Sequence, residues 1–151
     1  MSDGNKEFIA RIHQRFASFK TLQAELGPDG ARKAMLEAMT EKERKRMAPF
    51  LAKPTLFAAF TSAVPFFAMI GMKMEVVDIT NNGSDAVLEI QKYCPYLAIC
   101  KEYGFDTPCA TICEIDIAAI QDIFPELQGE ILSRHAEGSA VCLFKYERAP
   151  K

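Results

Sequence analysis

Met74-Glu-Val-Val-Asp-Ile-Thr80 and Ala86-Val-Leu-Glu-Ile-Gln-Lys-Tyr93 are two β-branched, partly alternating runs, joined by Asn81-Asn-Gly83-Ser-Asp85. Asparagine and glycine tolerate the positive φ that tight turns demand, so this stretch predicts an antiparallel hairpin. A second hairpin is expected downstream, from Glu130-Ile-Leu-Ser-Arg134 and Ala140-Val-Cys-Leu-Phe-Lys-Tyr146 around Glu137-Gly138-Ser139. Two hairpins among helical segments decide the class, which is α+β.

Upstream of Lys73 the chain reads as helical. Phe8, Ile12, Phe16, Phe19, Leu22 and Leu26 recur every three or four residues, the period of one helix face. Gly27-Pro28-Asp29-Gly30 breaks that helix, and a second runs through Ala31, Ala34, Met35 and Ala38. Thr40-Glu-Lys-Glu43 has the form of a capping box, which predicts a third short helix ending near Pro49. Pro54 suits the first turn of an apolar helix and Gly71 its end. Between the hairpins, Tyr96 to Tyr103 reads as a short helix stopped by Gly104, and Asp116 to Ile123 as another ended by Phe124-Pro125. The expectation is one domain over residues 1–151. Its N-terminal helices (1–72) pack on a twisted antiparallel sheet (73–151) carrying short inserted helices.

The net charge of -2 hides a polarity. Residues 1–54 hold 11 Lys/Arg against 7 Asp/Glu, and residues 55–151 hold 7 against 13. The basic excess reads as solvated helix faces, and without aromatic interleaving it argues against nucleic acid as a partner. Five cysteines and an N-terminus without an apolar core suggest a reducing, cytoplasmic setting. Pro54 to Met72 is 19 residues without a charge, near the length of a bilayer span. Thr61, Ser62, Pro65, Gly71 and the alanine content favour a buried core helix, with peripheral contact to a membrane protein complex as the alternative.

Three features could carry chemistry. Cysteines stand at 94, 100, 109, 113 and 142, but only Cys109-x3-Cys113 approaches the ligand spacing of structural zinc, so no metal is expected. A nucleophilic thiol needs a base and a group that orients the base. Cys113 with His135, steadied by Asp116 or Glu137, supplies those types, although His135 beside a turn and Asp116 at a helix start have ordinary structural uses. Finally, Phe57, Phe60, Phe66, Phe67, Met69, Met72 and Met74 crowd one region, with Tyr93-Cys94-Pro95-Tyr96 close by. They read as core or as an adaptable pocket for a flat apolar ligand.

From about Gly71 to Tyr146 the sequence resembles proteins named for L-2-amino-thiazoline-4-carboxylate hydrolase and, more distantly, the 4-vinyl-reductase domain. The resemblance rests on Cys94-Pro95, Gly104, Cys113-Glu-Ile-Asp116, Glu137-Gly138 and Cys142-Leu-Phe144. It implies a ligand-binding architecture shared with haem-based nitric-oxide sensors and transport-particle subunits, often dimeric. It also implies either opening of a thiazoline ring by water or binding of tetrapyrroles and small apolar molecules. The expected function is therefore a binding module for a hydrophobic or tetrapyrrole-like ligand, acting as carrier, sensor or assembly factor, with no certain cofactor. Its expected contacts are Phe57, Phe60, Phe67, Met69, Met74, Tyr93, Cys94, Tyr96, Cys113 and Cys142. The alternative is a hydrolase with Cys113 as nucleophile, His135 as base and Asp116 as orienter. A homodimeric interaction subunit, joined through the apolar helix, is the third reading.

Overall fold

The computed structural model describes residues 3–151. The chain is α+β, with helices first and a four-stranded antiparallel sheet after them. Helix α1 (Asp3–Leu51) is two limbs joined at Gly27, whose φ of 75° leaves the helical region. Helix α2 (Leu56–Met69) leads into β1 (Met74–Asp78) and β2 (Asp85–Gln91). Helices α3 (Tyr96–Glu102) and α4 (Cys113–Ile123) follow, then β3 (Gln128–Ser133), a 3-10 turn (His135–Glu137) and β4 (Cys142–Arg148). The sheet order is β1-β2-β4-β3, so both expected hairpins form and their second strands pair at the centre.

The break at Gly27-Pro28 stands as expected, but the third short helix does not. The Thr40 hydroxyl donates to the Leu36 carbonyl, one turn back in a continuous helix, so Thr40 is not a cap. A capping box works only where the preceding chain leaves the helix. Ala38, Met39, Glu41 and Lys42 are all compatible with helix, so nothing interrupts it. Glu43 consequently faces inward and is buried.

Helix α4 starts at Cys113, three residues earlier than expected, because the Pro108 carbonyl accepts the Thr111 and Ile112 N–H groups and opens the turn ahead of it. Helix α2 is not the fully buried helix its composition suggested. Leu56, Ala59 and Phe60 pack inward, while Phe57, Phe66 and Met69 face solvent. No single helix among the described residues is long and apolar enough to cross a membrane.

Strand alternation sends Val87, Glu89 and Gln91 of β2 to the helical side, opposite Tyr146, Phe144 and Cys142 of β4. The core on that side joins Met47 and Leu51 of α1, Leu56 and Phe60 of α2, Ile117 and Ile120 of α4, and Val87, Phe144 and Tyr146. A second cluster packs Ile12 and Phe16 against Tyr96, Ile99 and Ile112. A third sets Ile115 of α4 between the two limbs of α1, against Phe19 and Met35.

One buried ion pair ties these parts together. Arg148 Nε donates to Asp85 across the central strand pair at 2.9 Å, and each side chain is only 4% exposed. Asp85 also accepts the Leu56 N–H at 3.0 and 3.1 Å, supplementing the Thr55 hydroxyl that caps α2. Arg148 donates its remaining groups to the carbonyls of Leu51 (2.8 Å) and Lys53 (2.9 Å). Removing one partner of such a pair leaves an uncompensated buried charge. Asp85→Ala is therefore expected to lower unfolding free energy in urea by about 3–5 kcal/mol. Asp85→Ala combined with Arg148→Met should recover part of that loss, and a double variant no more stable than the single one would contradict this account.

Candidate functional site

The two limbs of α1 do not close on the sheet. Between them, α2, α4 and the inner face of β2 and β4 lies a cavity of about 1100 Å3. Its walls are mostly apolar, with Met35, Met39, Met47 and Phe50 from α1, Phe60 and Phe67 from α2, Ile117 and Ile120 from α4, and Phe144 from the sheet. Phe60 stacks on Tyr146 at 4.6 Å between ring centroids. Gly129 makes room for that tyrosine, since a Cβ there would meet its ring at 3.1 Å and Ile117 at 3.0 Å.

Into these walls the fold inserts polar side chains. Glu89 and Gln91 sit two residues apart on the inner face of β2, and Gln91 Nε2 donates to Glu89 Oε1 at 2.6 Å. Burial pushes the Glu89 carboxyl up to about 7, against the opposing pull of the Gln91 hydrogen bond and the Arg46 charge. Glu43 is buried beneath a half-exposed Arg46, joined through Arg46 Nη2 at 2.6 Å. Burial raises the Glu43 carboxyl as well, in spite of that arginine. On the facing side, Arg15 Nη1 lies 2.8 Å from Asp116 Oδ1, and Arg15 Nη2 donates to the Ile112 carbonyl, fastening α1 to α4. That ion contact is poorly aligned, and Arg15 Nε and Asp116 Oδ1 are buried without a hydrogen-bond partner.

Of the residues singled out from sequence, Phe60, Phe66, Phe67, Met72, Tyr96, Cys113 and Asp116 line this cavity. Phe57, Met69 and Tyr93 are exposed. Met74 and Cys142 are buried, Cys94 packs beside the Ile12–Tyr96 cluster, and none of the three is among the lining residues. Cys113 and Asp116 share the first turn of α4. Burial, with Asp116 nearby, holds the Cys113 thiol well above its ordinary range, so it stays protonated. His135 lies on the 3-10 turn outside the lining, with Nε2 buried and unpartnered, and no hydrogen bond joins it to Cys113. Its backbone N–H donates to Cys142 Sγ at 3.3 Å. Among the described residues no three His, Cys, Asp or Glu side chains converge as a metal site would require.

Sequence reasoning missed Arg15, Glu43, Arg46, Glu89, Gln91 and Tyr146. The available signal was in Leu88-Glu-Ile-Gln91, because a central strand with polar residues on its inward face needs a reason for them.

The family model described as L-2-amino-thiazoline-4-carboxylic acid hydrolase matches residues 5–146, so the match takes in the N-terminal helices as well as the sheet. Among solved structures, this chain is similar to the phenol-responsive sensory domain of the transcription activator PoxR, determined with phenol. The two share a TM-score of 0.59 and 12% identity, over 91% of this chain and 74% of that one. At that identity the likeness is one of fold. No curated protein matches.

The Glu89 environment carries a pH signature. The folded carboxyl holds its proton up to about pH 7, whereas in the unfolded chain it gives it up near the ordinary 4.5. Between those values the folded state binds more protons, so stability falls as pH rises, by about 3 kcal/mol in all. Chemical denaturation from pH 4 to 8 should show this decline, and Glu89→Gln should make it markedly shallower, leaving the smaller part that Glu43 contributes in the same direction. A variant with the same decline would show that Glu89 is not its source.

Proposed function

This chain belongs to the L-2-amino-thiazoline-4-carboxylic acid hydrolase family, and we propose that it works as a small-molecule binding domain. Its ligand is a compact, largely apolar ring system with a polar edge. The observation that carries this reading is the cavity itself, with mostly apolar walls and the buried side chains of Glu89 and Gln91 set among them, the usual make-up of a ligand site. The solved neighbour, a phenol-responsive sensory domain determined with phenol, supports the same direction. Carrier and sensor roles both follow from reversible occupancy. A tetrapyrrole is the larger ligand class to be tested against monocyclic and bicyclic rings.

The family match favours a second reading, hydrolysis of a small thiazoline-like ring. Cys113, His135 and Asp116 are its sequence-derived candidates. Glu89 is an additional one, since a buried carboxyl with a titration point moved toward neutrality suits general acid–base work. Against the thiol route stands the protonated state of Cys113.

Two measurements separate these possibilities. Nile red, with competing aromatic rings and protoporphyrin IX, should bind the purified chain with a single-site isotherm. Ala63→Trp, which fills the cavity from α2, should weaken binding at least tenfold with an unchanged circular dichroism spectrum. Equal binding by that variant would remove the cavity as the site. Release of free thiol from 2-amino-thiazoline-4-carboxylate would establish the hydrolase reading. Its survival in Cys113→Ala and loss in Glu89→Gln would assign the proton transfer to the carboxyl.

A further inference from the structure

The polar groups on the sheet side of the cavity are only partly used by the protein. Gln91 commits its amide N–H to Glu89 Oε1, which leaves Gln91 Oε1 and Glu89 Oε2 without a protein partner. The Tyr146 hydroxyl, whose surroundings act on it through burial and nearby charges and through no hydrogen bond, has none either. These residues are 9%, 5% and 7% exposed, yet none of the three atoms is among the buried, sealed-off polar atoms, which sets them apart from Arg15 Nε and Asp116 Oδ1. They open into the cavity from one face of β2 and β4, with Glu89 diagonal to Tyr146 across the strand pair. Unpaired polar groups so deeply enclosed cost stability unless something satisfies them.

We propose that Glu89 and Gln91 form a paired hydrogen-bonding edge that selects a neutral ring carrying a donor beside an acceptor, as in a cyclic amide, with the Tyr146 hydroxyl as a third contact. The ring N–H donates to Gln91 Oε1, and the adjacent carbonyl accepts from the protonated Glu89 carboxyl. This pairing rests on the cavity being a ligand site and adds the ligand's chemical class. Arg11, Lys42 and Lys45 also line the cavity but are exposed to solvent, and the charges set deeper support a neutral guest. Arg46 and Glu43 from the second limb of α1 offset each other, as do Arg15 from the first limb and Asp116 from α4. Tyr146 of β4 faces Glu89, Cys113 of α4 and Tyr96 of α3 line the same cavity, and burial keeps all three uncharged. A charged ring would add an unbalanced charge to this enclosure.

The test compares 2-quinolinone with 1-methyl-2-quinolinone, which lacks the donor, and with naphthalene, which lacks both groups, by competition against Nile red. The wild-type chain should bind 2-quinolinone at least tenfold tighter than the methylated ring, about the effect of one buried hydrogen bond. Its affinity should weaken at least tenfold from pH 6 to pH 9, where the ionised Glu89 can no longer donate to the carbonyl. Gln91→Leu should erase the discrimination against the methylated ring. Glu89→Gln keeps a donor at every pH, so it should retain the discrimination and lose the pH dependence. Equal affinity of the two quinolinones for the wild type would overturn the proposal while leaving the cavity as a binding site. Failure of all three rings and of the dye would overturn both readings. If Gln91→Leu does not fold, Glu89→Gln alone decides, and an unchanged pH profile in that variant would sink the assigned role of Glu89.

Discussion

The Asp85–Arg148 pair is the constraint on which the rest of this molecule depends. It lies across β2 and β4, the two central strands, and so holds the register that decides which residues face the helices. The same two side chains seat the first N–H of α2 and the carbonyls of Leu51 and Lys53 at the end of α1. Helix and sheet are thus fastened at one end by charge-assisted hydrogen bonds in a water-poor setting, where such bonds are strong. At the other end they are held mainly by apolar contacts, with Arg134 after β3 reaching Glu114 of α4, and there the cavity forms.

That register also explains the polar interior. Pairing Glu89 with Phe144 and Gln91 with Cys142 turns the polar residues of β2 toward the helices and leaves Leu88 and Ile90 on the outer face. A slip of one residue would reverse the arrangement and give an ordinary greasy interface. The fold thus keeps polar groups on an inward face, an arrangement typical of sites that must recognise something.

The fold was largely legible in the sequence because its signals are local. Asn81-Asn-Gly83 makes its own turn, Gly27-Pro28 its own break, and the Phe/Ile spacing of α1 its own face. The failures have equally physical causes. Thr40-x-x-Glu43 has the letters of a cap without the chain departure that makes one. The apolar run of α2 gives composition but not orientation, so Phe60 and Phe67 were found at the cavity along with Phe57 and Met69, which are not. Arg148 and Asp85 stand 63 residues apart, and no short-range pattern announces their meeting. The cysteine-rich run drew attention to α4 correctly through Cys113 and Asp116. The more telling clue lay in Glu89 and Gln91, polar letters alternating with apolar ones in a central strand.

Gly27 has a consequence of another kind. The two limbs of α1 meet at a single residue with φ of 75°, and a side chain placed there would touch nothing. The cost of replacing it is therefore torsional rather than steric, since L-residues resist that conformation. Relief of the strain would swing one limb relative to the other, and residues of both limbs line the enclosure. Position 27 is thus a calliper: a change far from any guest molecule resets the width of the chamber while leaving its chemistry untouched.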